Sequence, residues 1–156
     1  VYVKTQRLAS AFTRVIVSSF VVFLCAAVPA GAQVLFDAAS NATPATTSAA
    51  ASFTVLWNHT VGLAKKPYLV VSVSIDRSTG GALVGGVVYG KELGGPASNM
   101  TSLGVINNGT AVRAELWGLA NPTPGTHQIE VTITNAAAVN IAVVAGAKSF
   151  SNVFQT

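Results

Sequence analysis

The sequence has a single cysteine, Cys25, so no intrachain disulfide can form. Small exported domains commonly lean on such bridges because their cores are marginal. Here apolar burial and strand pairing must hold the fold, alone or with a partner. Acidic side chains are almost as scarce, five in 156 residues against nine Lys and Arg. Most of the five are separated by long intervals, so a carboxylate pair of the glycosidase kind would depend on chance proximity in the fold. The chain also has no nucleophile elbow, HExxH helix, P-loop or Asp-rich calcium loop. No amphipathic helical period stands out, which excludes a βαβ architecture.

The front of the chain is present in strength. Lys4, Arg7 and Arg14 lead into an apolar run from Val15 to Val28, and Ala30-Gly31-Ala32 supplies small residues for signal peptidase. Residues 1–32 are therefore expected to be a signal peptide, with Gln33 first in the mature protein. The rival is a retained anchor, but about 14 apolar residues span only about 21 Å as a helix, short of the roughly 30 Å hydrocarbon core. No stable membrane span is expected after cleavage. Cys25 lacks the small preceding residues of a lipoprotein signal and leaves with the leader. The Val at position 1 fits an alternative start codon in a prokaryotic gene, and equally a truncated frame.

Removing the leader removes most of the positive excess. Lys65, Lys66, Arg77, Lys91, Arg113 and Lys148 then face Asp37, Asp76, Glu92, Glu115 and Glu130. A nearly neutral chain with no basic stripe gives no support to nucleic-acid binding. Four Asn-X-Thr sequons, at Asn41, Asn58, Asn99 and Asn108, would mark glycosylated surface in a eukaryotic secretory protein and are chance in a bacterial one.

Residues 33–51 contain the stretch DAASNATPATTSAAA, which is too poor in large apolar groups to offset its ordering entropy, and a flexible linker is expected there. From Ser52 the period becomes two. Phe53, Val55, Trp57 and Val61 share a buried side, on which His59 also falls; Leu69, Val71, Val73 and Ile75 make the clearest strand. Further strands are expected over 84–89, 101–106, 111–119 and 127–134. Asn107-Asn108-Gly109-Thr110 reads as a type I′ hairpin, and Asn121-Pro122-Thr123-Pro124-Gly125-Thr126 as a rigid turn. The last strand, 139–150, is apolar on both sides, so a covering layer is expected over each face. About seven strands with Gly/Pro-rich turns predict an all-β domain over 52–156, an antiparallel β-sandwich of jelly-roll or Ig-like kind.

The segments YLVVSVSID, AVRAELWGLANPTPGTHQIEVTIT and VVAGAKSFSNVFQT together resemble a recurrent, poorly characterised β-sandwich module of bacterial and archaeal secreted and cell-surface proteins. The likeness spans residues 53–156. It implies an extracellular setting and further strands beyond Ser149–Thr156, and it brings no settled activity.

Among candidate functional residues Trp117 stands first. Val112, Ala114 and Leu116 share one face of their strand, so Arg113, Glu115 and Trp117 share the other. A tryptophan among charges can offer a platform to a sugar ring or a protein partner. Alternatively, Trp117 is covered by the next sheet or a loop while Arg113 and Glu115 pair across strands. Trp57 and Tyr89 read as core. His59 and His127 have no metal-ligand spacing and no metal or other cofactor is expected; Asp76 and Arg77 read as turn formers. These features predict a non-catalytic secreted module for adhesion, surface assembly or carbohydrate binding, with a glycan or protein of the cell surface as partner. The alternative is a structural subunit that assembles by β-strand addition, accepting or donating a strand in a filament or surface layer, with self-association through its sheet edges as one form. A secreted polysaccharide-active enzyme comes third and needs Asp76, Glu115 and a histidine to meet in one pocket.

Overall fold

The computed structural model describes residues 33–43, 46–76, 81–93 and 97–154. The expected signal peptide, 1–32, lies outside them, as does Arg77. In chain order the strands are β1 (Leu35–Asn41), β2 (Thr46–Ser48), β3 (Ser52–Val61), β4 (Tyr68–Asp76) and β5 (Leu83–Tyr89). A 3₁₀ turn over Lys91–Leu93 precedes β6 (Ser98–Asn99), β7 (Thr101–Asn108), β8 (Val112–Ala120), β9 (Gly125–Thr134) and β10 (Ile141–Ser151). All pairings are antiparallel. One sheet runs β1-β10-β4-β8-β7, with β2 also on β10; the other runs β3-β9-β5-β6. Two antiparallel sheets packed face to face are the all-β layering that the alternating sequence predicted.

Alternation places the core between them. On β9, Ile129, Val131 and Ile133 are fully buried, and they meet Leu69, Val71, Val73 and Ile75 of β4 and Val143 of β10 in a single cluster. Burying each such side chain contributes about 1.5–3 kcal/mol. His59 falls inward as expected, and Trp57 and Tyr89 join the core. Tyr89 Oη donates to the carbonyl of Thr123 at 2.9 Å, and burial together with Glu92 pushes its phenol up to about 12.

Three expectations are corrected. In place of a flexible linker over 33–51, β1 and β2 line up along β10: β1 pairs with Gly146–Ser151 and β2 with Ile141–Val143. A ready strand edge pays the ordering entropy that this Ala/Ser/Thr segment cannot meet alone. The hairpin turn sits one residue later than expected, with Ala111 N donating to Asn108 O at 3.1 Å. Its central residues are Gly109, with the positive φ of 56°, and Thr110, whose φ is not positive, so the turn is not type I′. Finally, among the described residues β10 has a covering layer on one side only. Ile141, Val143, Ala145 and Ala147 face the core, whereas Val144 on the other side is 55% exposed.

Candidate functional site

The three residues singled out on β8 do come together, at the inner face of the sheet. Glu115 is 3% exposed, and its carboxylate accepts from Arg113 Nε, from Trp117 Nε1 at 3.2 Å and from the backbone N–H of Val84 at 3.1 Å. Val84 belongs to the opposite sheet. Its neighbour β6 pairs only with Val88 and Tyr89, so no strand meets the Val84 amide from that side, and Glu115 takes the place of one. Arg113 neutralises the carboxylate from two positions away on the same strand, and its Nη1 also reaches Asn107 Oδ1 at 3.3 Å. Trp117 packs against the core. The arrangement is the buried alternative rather than an exposed platform, with the ion pair along β8 instead of across strands. None of Glu115's hydrogen bonds goes to Asp76 or a histidine.

The two histidines are cross-strand neighbours, His59 on β3 opposite His127 on β9. His127 is engaged at both nitrogens, Nδ1 with Glu92 Oε1 and Nε2 with Pro124 O, each at 3.1 Å, and its ring stands edge-on to Tyr89. His59 sits in a polar pin between β1 and β3. Ser40 Oγ lies 2.8 Å from His59 Nδ1 and accepts from Trp57 Nε1 at 3.0 Å, while His59 Nε2 is buried with no partner. Beside it, the bulge in β1 turns Asp37 inward, where its Oδ2 accepts from Gly62 N at 2.9 Å and Ser149 Oγ at 2.7 Å. The amide of Gly62 and the hydroxyl of Ser149 hold the Asp37 carboxyl below its usual range, and burial holds the His59 imidazole below its own. Among the described residues no group of three or more His, Cys, Asp and Glu side chains converges to hold a metal.

What remains is the outer face of the β1-β10-β4-β8-β7 sheet, which sequence reasoning did not single out. Strand register places Val144, Ser74, Ala114 and Ile106 in one row across it. The next row holds Asn41, Gly146, Ser72, Leu116 and Gly104, and a third Ala39, Lys148, Val70 and Gly118. Small residues form a floor between taller aliphatic walls. The result is a trough of about 620 Å³ over the first two rows and a neighbouring one of about 390 Å³ that reaches Lys148 and Phe150. Ser72, Leu116 and Gly146 border both. Lys148 is the one charge in these rows. Three of the wall residues, Val144, Leu116 and Ile106, are 55%, 47% and 74% exposed.

The outer face of the other sheet is unlike it. Its rows pair Asn58 with Gln128, Thr60 with Thr126 and Thr54 with Thr132, and the row between holds Leu56, Val88 and Glu130, which binds Lys91 at 2.8 Å. Of the two outer faces, the first is the more aliphatic. The signal was present in the sequence as the two-sided apolar pattern of residues 139–150, together with Ala114 and Leu116 alternating with Arg113 and Glu115. No family model, curated protein or solved structure matches the chain. The chemistry available to the trough is that of its own side chains: aliphatic contact, the Phe150 ring, a few hydroxyls, the Asn41 amide and one ammonium.

Proposed function

We propose that the chain is a non-catalytic secreted or cell-surface module that works in adhesion or surface assembly through the outer face of its β1-β10-β4-β8-β7 sheet. The observation that carries this reading is the contrast between that largely aliphatic face and the more hydrophilic face of the opposite sheet, where Leu56 and Val88 stand among Thr, Asn, Gln and Glu. Monomeric proteins seldom leave a contiguous apolar patch uncovered unless it makes a contact. Of the partners considered, a protein fits the trough better than a sugar. Sugar rings are usually gripped by aromatic platforms, and Phe150 is the one aromatic lining residue. Trp117, which would have served as such a platform, is turned inward. The export signals in residues 1–32 and the likeness to secreted modules support the extracellular setting.

The test is binding of the full-length chain to cell-wall fractions and to a glycan array, with Leu116→Lys and Val144→Glu as probes. Protein-dependent capture lost in both variants is expected. Capture by glycans that both variants retain, or turnover of a polymer, would overturn the reading.

A second reading, assembly by strand addition, is favoured by β7. This strand ends its sheet, and all eight of its residues are exposed.

A further inference from the structure

The strand-addition reading leaves open what pairs with β7, and the edge itself supplies an answer. Natural sheets guard their edges with short strands, bulges or inward charges. Here β6 is two residues long, β1 carries a bulge with Asp37 turned inward, and β3 lies against β1 through the Asp37–Gly62 bond. By contrast β7, TSLGVINN, has no charged residue and no proline, and past its irregularity between Ser102 and Gly104 it pairs regularly with β8 as far as Asn108. Alternate residues of an edge strand turn their N–H and C=O groups outward, ready for another strand.

We infer that the partner is a second copy of this chain, with β7 paired antiparallel to itself about a two-fold axis at Val105. The inference rests on the strand-addition reading. In that register Val105 faces Val105 of the second copy, and Gly104 faces Ile106 in both directions. A Cβ built on Gly104 meets nothing within 4 Å, so the outer face has a hole there, while Ile106, 74% exposed, projects on the same face two residues along. Each isoleucine fills the other copy's hole and reaches over the glycine toward Leu116, which pairs with Gly104 in β8. Because β7 bears no charge, self-pairing sets no like charges against each other. An isologous contact of this kind closes as a dimer, since the guarded edges offer no second equivalent surface. The trough, whose rim includes Gly104, Val105 and Ile106, then runs on from one copy into the next.

The test uses the full-length chain with Cys25→Ser, so that introduced cysteines are the sole thiols. Val105→Cys should form a disulfide-linked dimer on mild oxidation, and Asn107→Cys should not, because in this register residue 107 lies opposite 103. In sedimentation velocity Ile106→Lys and Gly104→Leu should each raise the dimer dissociation constant by about tenfold or more, with the far-ultraviolet spectrum unchanged. A chain that is monomeric at every concentration overturns both this inference and strand addition. A dimer that ignores both edge variants, or that cross-links at 107 rather than 105, overturns the self-pairing alone.

Discussion

Glu115 Oε1 and the amide nitrogen of Val84 lie 3.1 Å apart across the two sheets. A side-chain acceptor thus substitutes for a missing strand, and a charge is buried to do so. The arrangement is stable only while Arg113 stays beside it, because one unpaired buried carboxylate costs far more than the pair contributes.

Arg113→Leu should therefore destabilise the fold by about 3 kcal/mol or more. Glu115→Gln, which keeps an acceptor for Val84 and drops the charge, should cost less. Urea denaturation of the two single variants and of the double variant gives the comparison. A double variant less stable than Arg113→Leu alone would show that the stranded charge is not the cause.

Acid should weaken the pin between β1 and β3 in two steps. His59 has its pKa depressed in the fold, so its contribution is complete above its unfolded value near 6.5 and is lost as pH falls from there toward the folded value. Asp37 is likewise depressed, and its contribution, complete above 3.8, fades as pH falls through the folded pKa. Thermal melts between pH 7 and pH 3 should show the first decline in the wild type and a flatter profile over pH 6.5–5 in His59→Phe. Equal slopes in that window would place the proton uptake elsewhere.

Gly125 opens β9 with φ at 118°, a region that side chains rarely enter, and a Cβ there would stand 3.0 Å from His127 Nε2. Gly125→Ala should cost about 1–3 kcal/mol. A melting temperature matching the wild type would show that the turn relaxes.

Asn135 is fully buried and ties the end of β9 to its surroundings: Nδ2 donates to Val139 O at 2.7 Å and Ala50 O at 3.2 Å, and its amide donates to Ala51 O at 2.8 Å. Asn135→Ala should cost about 1–3 kcal/mol by orphaning the carbonyls of Ala50 and Val139, while the backbone bond to Ala51 O stays. Faster hydrogen exchange confined to the Ala50 and Val139 neighbourhoods would be its local signature.

Much of the fold could be read from alternation alone. Strands β3, β4, β8 and β9 fall where apolar residues recur at every second position, because a half-buried sheet demands that pattern, and β5, β7 and β10 fall on short apolar runs set off by turn signals. The strands β1 and β2 were not legible, since Ala, Ser and Thr carry no such repeat and the edge of β10 makes them strands. On β8 the sequence separated the faces correctly, but polarity pointed to the wrong one. Arg113 and Glu115 turn inward to meet an amide whose need arises only in three dimensions. The trough was half visible in the two-sided apolar pattern of β10. That pattern calls for cover without naming its source.

Because Leu35 pairs with Ser151 and Tyr68 with Phe150, β10 slots between two strands that emerge from the ribosome long before it. Until β10 arrives, β1 and β2 have no strand to pair with and one flank of β4 stays open. Assembly of that sheet consequently depends on β10 and has high contact order, slow by the standards of local folds and vulnerable to premature association while it waits.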